Sequence, residues 1–155
     1  MPVHANPYPL VSRIATPTER ERFLAEWSAL PQLTLTPEET QVVNGIAHGV
    51  YSPLEGFMTR ADYDSVLTRE RLANGTPWAV PVTLHVEATA SIPEGARVGL
   101  NSPSGAPLAV LEVADRFRFD PEAHSRAVFG TTEARHPGVQ RARAAKPLVL
   151  GGRVT

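Results

Sequence analysis

Gly49-Val50-Tyr51-Ser52-Pro53-Leu54-Glu55-Gly56-Phe57-Met58 packs more backbone-fixing residues beside large apolar ones than any other stretch of the 155-residue chain. Pro53 sets its own φ and drives Ser52 toward extended geometry, while Gly49 and Gly56 permit positive φ or a close backbone approach. Tyr51, Leu54, Phe57 and Met58 need burial, so the stretch predicts a shaped loop lying flat against a core rather than a mobile one. Ser52, held before a proline and outside any nucleophile-elbow context, reads as a turn residue.

Upstream of this loop the pattern is helical. Thr16-Pro17-Thr18-Glu19 is a capping-box start, and Phe23, Leu24, Trp27 and Leu30 make an apolar stripe, so a helix is expected to about Leu30, before Pro31. Gln32 to Leu35 reads as a short extended link. Thr36-Pro37-Glu38-Glu39 repeats the cap chemistry and opens a second helix carrying Val42, Val43 and Ile46, with Gly49 as its stop.

Downstream, Thr59 with Asp62 three residues on begins a third helix that should end near Arg69, its buried face formed by Tyr63, Val66 and Leu67. After the Asn74-Gly75 turn, apolar residues alternate from Trp78 to Val86, which predicts a strand at a sheet edge or bulged at Pro81. Shorter strands are expected at Arg97 to Leu100, at Leu108 to Val113 as the core strand, and at Asp115 to Asp120. Asp120-Pro121 caps a last helix that ends at Gly130, and an exposed loop follows through His136-Pro137-Gly138. Helices followed by turn-linked strands indicate an α+β domain with a mainly antiparallel, barrel-like sheet flanked by several short helices.

Composition bounds the function classes. The length suits one domain over residues 1–155, and 42% hydrophobic with 20% charged residues is close to the globular average. Fifteen prolines fit a loop-rich mixed fold better than a helical bundle, and the absence of cysteine excludes disulfides and thiolate chemistry. Met1-Pro2-Val3-His4-Ala5-Asn6-Pro7 has neither the basic nor the apolar region of a leader, and there is no membrane-spanning run, so a soluble cytoplasmic protein is expected. His4, His48, His85, His124 and His136 never fall at i, i+3 or i+4 spacing, and neither a P-loop nor a G-x-G-x-x-G segment occurs. No catalytic residue, cofactor or metal is therefore expected. His136, between Arg135 and Pro137-Gly138, reads either as a group facing an anion or as a packed loop histidine.

Four motifs in order carry a family resemblance. Gly49-x-x-Ser52-Pro53-Leu54-x-Gly56-Phe57-Met58 is followed by Gly75-x-Pro77-Trp78-Ala79-Val80-Pro81-Val82-Thr83-Leu84. Then come Gly105-x-Pro107-Leu108-Ala109-Val110-Leu111-x-Val113 and Val128-Phe129-Gly130-Thr131 with His136-Pro137-Gly138-Val139. With the closing Gly151-Gly152-Arg153-Val154, the chain resembles the N-terminal, PUA-like domain of ATP sulfurylases (sulfate adenylyltransferases), which join sulfate to the α-phosphate of ATP. It departs from the family at Val42-Val43-Asn44, where an acidic pattern is common, a departure that favours a diverged, independent domain. The family's Q-x-R-N-P, H-x-x-H and G-R-D segments, which hold ATP and sulfate in the domain that follows, do not occur here. The resemblance thus implies a non-catalytic domain that supports and docks a catalytic domain absent from this sequence, and that is inactive by itself.

Charge suggests where such a partner would sit. Residues 126–155 hold six basic residues against Glu133 alone, a net of +5, which leaves −6 on the first 125 residues. The asymmetry points to an acidic domain, a nucleotide or RNA as neighbour, or to a solvated basic face. RNA binding by a stand-alone PUA-like domain is the alternative function, opposed by a net charge of −1 and 6% aromatic residues. The expected domain interface combines Phe129 and Val139 as apolar members with Arg135, His136, Arg141 and Arg143.

Overall fold

A computed structural model describes residues 8–155; the leader reading of Met1–Pro7 falls outside the described residues. Five α-helices and six strands follow one another along the chain. These are α1 Pro17–Glu26, β1 Gln32–Thr34, α2 Pro37–Ala47, β2 Gly56–Phe57, α3 Arg60–Arg69, β3 Leu84–Val86, β4 Arg97–Asn101, β5 Pro107–Arg118, α4 Pro121–Phe129, α5 Pro137–Ala144 and β6 Leu148–Val154. The strand order is β1-β4-β5-β6-β2, with β3 also paired to β6. The sheet is mainly antiparallel, with the β1–β4 pair parallel, and it stays open rather than closing into a barrel.

Each helix start is written in the sequence. Thr16 and Thr36 both form complete capping boxes, with Glu19 and Glu39 reaching back to the cap backbone, and Pro stands at the first helical position of each. Thr59 caps α3, and the Asp120 carboxylate accepts from the backbone N–H groups of Glu122 and Ala123 at the start of α4. The first helix ends earlier than its apolar stripe suggests: α1 stops at Glu26, and Trp27–Ala29 tighten into a 3₁₀ turn before Pro31.

The chain forms two compact units, each assembled from separate stretches. The first takes residues up to Phe57, Gly95–Val113 and Gly152–Thr155; the second takes Met58–Glu94 and Ala114–Gly151. In the first, β1 pairs with β4 and β4 with β5 around Val98, Leu100, Val110 and Leu111, against which Phe23, Val43 and Ile46 are buried. In the second, β3 pairs with β6 through Leu84↔Leu150 and Val86↔Leu148, joined in the core by Met58, Val66 and Phe117. Each such aliphatic side chain withdrawn from water stabilises the fold by about 1.5–3 kcal/mol.

The Gly49–Met58 loop packs as expected. Leu54, Phe57 and Met58 are buried, and Ser52 Oγ accepts from the backbone N–H of Val11 at 2.9 Å while donating to the Gly49 carbonyl at 2.7 Å. The Ser52–Pro53 peptide is cis.

Three expectations give way. Between Trp78 and Thr83 the chain is irregular, and only Leu84–Val86 joins a ladder, because Pro77 and Pro81 supply no backbone N–H. The two strands expected on either side of Ala114 are one continuous β5. Residues 137–144, expected as exposed loop, form α5, with His136 at the N-cap accepting from Gly138 N at 3.1 Å.

β6 also lies where two adjacent glycines argue against a strand. A side chain on Gly151 would meet the carbonyl oxygen of Met58 and come within 2.7 Å of Thr59 Cα, so only glycine lets these backbones cross. Gly151→Ala should accordingly lower stability by about 1–3 kcal/mol in urea denaturation. Gly105→Ala, which faces open space at φ +85, should lose less. Equal losses at the two positions would show that the crossing tolerates a methyl group.

Candidate functional site: the α4–α5 corner

All six residues expected at an interface lie on or beside α4 and α5, inside the second unit. Their roles differ. Val139 is fully buried and anchors α5 from below, with Ala142 one turn on, so its side chain belongs to the core. Phe129, the last residue of α4, is half-buried and lies so close over Gly138 that any side chain there would collide with its ring. Arg143 donates through Nε to Glu122 Oε1 at 2.7 Å and through Nη2 to the Thr132 carbonyl at 3.1 Å, tying α5 to α4 and to the connecting loop. That hydrogen bond holds the Glu122 carboxyl below its ordinary range and the Arg143 guanidinium above its own. Arg135 and Arg141 are exposed, and neither side chain makes a hydrogen bond or ion pair with another described residue.

Beneath this basic surface runs a row of rings that alternates imidazole and phenyl. His85 meets Phe119 edge-on at 4.5 Å between centroids, Phe119 meets His124 at 5.1 Å, His124 meets Phe129 at 6.0 Å, and Phe129 meets His136 at 4.9 Å. Edge contacts of this kind add modestly to what burial alone supplies. Both ends of the row are pinned to backbone. His85 Nδ1 lies 3.0 Å from the Lys146 carbonyl and so carries a proton, and His136 caps α5.

At its centre, His124 Nδ1 lies 2.8 Å from the Tyr63 hydroxyl of α3, and Tyr63 packs on Phe117 at 5.3 Å. Burial first, and the neighbouring His85 second, push the His124 imidazole below its ordinary value. Burial, with Asp64 and Asp120 adding to it, pushes the Tyr63 phenol well up. Neither His124 nor Tyr63 was singled out by sequence reading as a site residue. The two stand 61 positions apart, and although the caps marked where each helix starts, nothing local in the sequence made the two helices neighbours.

The corner is therefore a surface whose ordering groups face inward and whose uncommitted charges include the guanidinium groups of Arg135 and Arg141, with the Glu133 carboxylate in the loop between the helices. Among the described residues, no group of three or more His, Cys, Asp or Glu side chains is placed to hold a metal, and no helix is long and apolar enough to cross a membrane. A family model described as a PUA-like domain matches residues 2–155.

The chain belongs to the PUA-like domain family. Within that family it is similar to proteins named sulfate adenylyltransferase. That of Trichodesmium erythraeum (strain IMS101) is 43% identical over 147 residues, covering 94% of this chain and 38% of the relative. That of Trichormus variabilis is 41% identical over 133 residues, covering 84% and 34%. A solved structure described as hexameric APS kinase from Thiobacillus denitrificans superposes with a TM-score of 0.70 at 28% identity, over 94% of this chain and 24% of that one. This PUA-like chain thus spans well under half the length of the curated relatives it matches.

The ring row gives the domain a pH dependence of definite sign. Because the folded state holds His124 below its ordinary value of 6.5, it binds fewer protons than the unfolded chain; the resulting stability is complete above that value and is lost as pH falls through it. The charged and titratable groups around it are Tyr63 from α3, His85 from β3 and Asp120 at the α4 cap. The urea midpoint should fall between pH 7 and pH 5, and His124→Phe should flatten that fall while removing the Tyr63 bond. An unchanged slope in the variant would place the titrating group elsewhere.

Proposed function

We propose that this PUA-like domain is the non-catalytic part of a sulfate adenylyltransferase system, supporting and docking the region that converts ATP and sulfate to adenosine 5'-phosphosulfate and pyrophosphate. The observation that carries this reading is the pattern of similarity: 94% of this chain is matched at 43% identity by a relative of which it spans only 38%. The segments that resemblance assigns to ATP and sulfate are not in this sequence, and phosphoryl chemistry of this type depends on cations and donors positioned around the α-phosphate. The α4–α5 corner is the docking surface in this reading. Arg135 and Arg141 supply uncommitted charge, Phe129 and His136 the flat partly apolar ground between them, and Arg143 and Val139 keep that ground in shape. Contacts between covalently joined or associated domains are of this mixed polar and apolar kind.

A reconstitution tests the reading. The pure chain should release no pyrophosphate from ATP and sulfate, whereas it should co-elute with the separately produced remainder of the Trichodesmium relative and raise that fragment's stability. Replacing both Arg135 and Arg141 by Glu should weaken the association about tenfold or more without moving the unfolding midpoint. Sulfate-dependent turnover by the chain alone, or an association indifferent to the double charge reversal, would overturn the proposal.

A further inference from the structure

The first unit contains a cavity of about 290 Å³ walled by α1, the C-terminal half of α2, the start of β5 and the last residues of β6. Its apolar wall includes Ile14, Phe23, Leu24, Trp27, Val43 and Leu108. Ile14 and Leu24 remain 58% and 41% exposed, although the surrounding core is closed. Large aliphatic side chains left in water around a concavity floored by aromatic rings mark a site that gains from being filled.

The side chains with a permanent charge at this cavity are cationic. Arg13, Arg20 and His48 line it and no Asp or Glu does, in a chain that has 16 acidic residues against 15 Lys and Arg. Two of the three are already oriented. Arg13 donates through Nε to the Val154 carbonyl at 2.9 Å and through Nη2 to Thr155 Oγ1 at 2.6 Å, with Glu55 at 3.7 Å from Nη1. His48 Nδ1 donates to the Asn44 carbonyl at 2.8 Å, which leaves Nε2 for another partner. Arg20 stands one helical turn before Leu24, and its guanidinium makes no hydrogen bond or ion pair with another described residue. A free guanidinium beside an apolar wall, with no Asp or Glu side chain among the lining residues, favours an anionic group on whatever fills the space.

We propose that this cavity binds an apolar-bodied monoanion, an aryl or short alkyl carboxylate or sulfonate. The body lies against Leu24, Trp27 and Leu108, and the charged head is held by Arg20. This site is independent of the docking reading, because none of its residues belongs to the α4–α5 corner. Naphthalene sulfonate is a suitable probe. Titration calorimetry on the full chain should show saturable one-site binding. Arg20→Gln should weaken it about tenfold, as should replacing the probe by the uncharged naphthalene methanol. Leu24→Trp, at an exposed helix position, should fill the cavity and abolish binding while circular dichroism and the unfolding midpoint stay as in the parent chain. No saturable binding, equal affinity for the sulfonate and the alcohol, or full binding by Leu24→Trp would overturn the site and leave the cavity as a surface for a protein partner.

Discussion

The contact on which the remaining structure depends is a crossing of bare backbone. Residues 55–59 run against residues 151–154 at a separation that excludes side chains. Gly56 pairs with Arg153 and Phe57 with Gly152, and a Cβ on Gly56 would strike the Gly152 carbonyl oxygen. On the other side of the same stretch, Gly151 lies against Met58 and Thr59. Within the first unit this fixes the exit of the Ser52–Pro53 loop, since Val154 N donates to the Glu55 carbonyl at 3.0 Å. Within the second it fixes Thr59, hence the start of α3 and the position of Tyr63 on that helix. A domain with no buried charged residue among those described, and with no cysteine to form a disulfide, relies on such shape constraints for its register.

The α4–α5 corner illustrates how a surface can be ordered from beneath. His136 serves as an N-cap through Nδ1 and as the end of a ring row at once. The packed reading of that residue is the one the geometry supports. What remains outward is Arg141 on α5 and Arg135 just before its cap, neither with a partner among the described residues, while the other basic residue of the helix, Arg143, is spent on Glu122 and Thr132. Rigid placement of uncommitted charge lowers the ordering cost of an encounter, because the side-chain framework does not have to be rebuilt on contact.

Four of the five helix starts were legible, because Thr16, Thr36, Thr59 and Asp120 each announce a cap in the local sequence. The Gly49–Met58 loop was legible for the same reason, its prolines and glycines acting on their immediate neighbours. α5 escaped notice although His136-Pro137 repeats the cap-and-proline pattern, because Gly138 follows at once and the short helix has only Val139 and Ala142 on its inner face. β6 was not read as a strand, because Gly151 and Gly152 carry no local strand signal and their meaning lies in backbone almost a hundred positions earlier. The ring row was beyond local reading altogether. Its members come from β3, the end of β5, α4 and the α5 cap, and no periodicity links them. Val139 was assigned to the surface for want of that helix, and its burial is what the missing helix explains.

The composition of the two compact units bears on how the chain comes off the ribosome. The first unit begins with the earliest described residues yet requires Gly152–Thr155, whose Val154 and Thr155 hydrogen-bond to Glu55 and Val110. The second is complete once Gly151 has emerged. Vectorial synthesis ordinarily lets the N-terminal part of a protein fold first. The first unit closes late in this sense: α1 and α2 are made early, but the backbone partners of Glu55 and Val110 are Val154 and Thr155, so the unit that begins first is not complete before those residues are made.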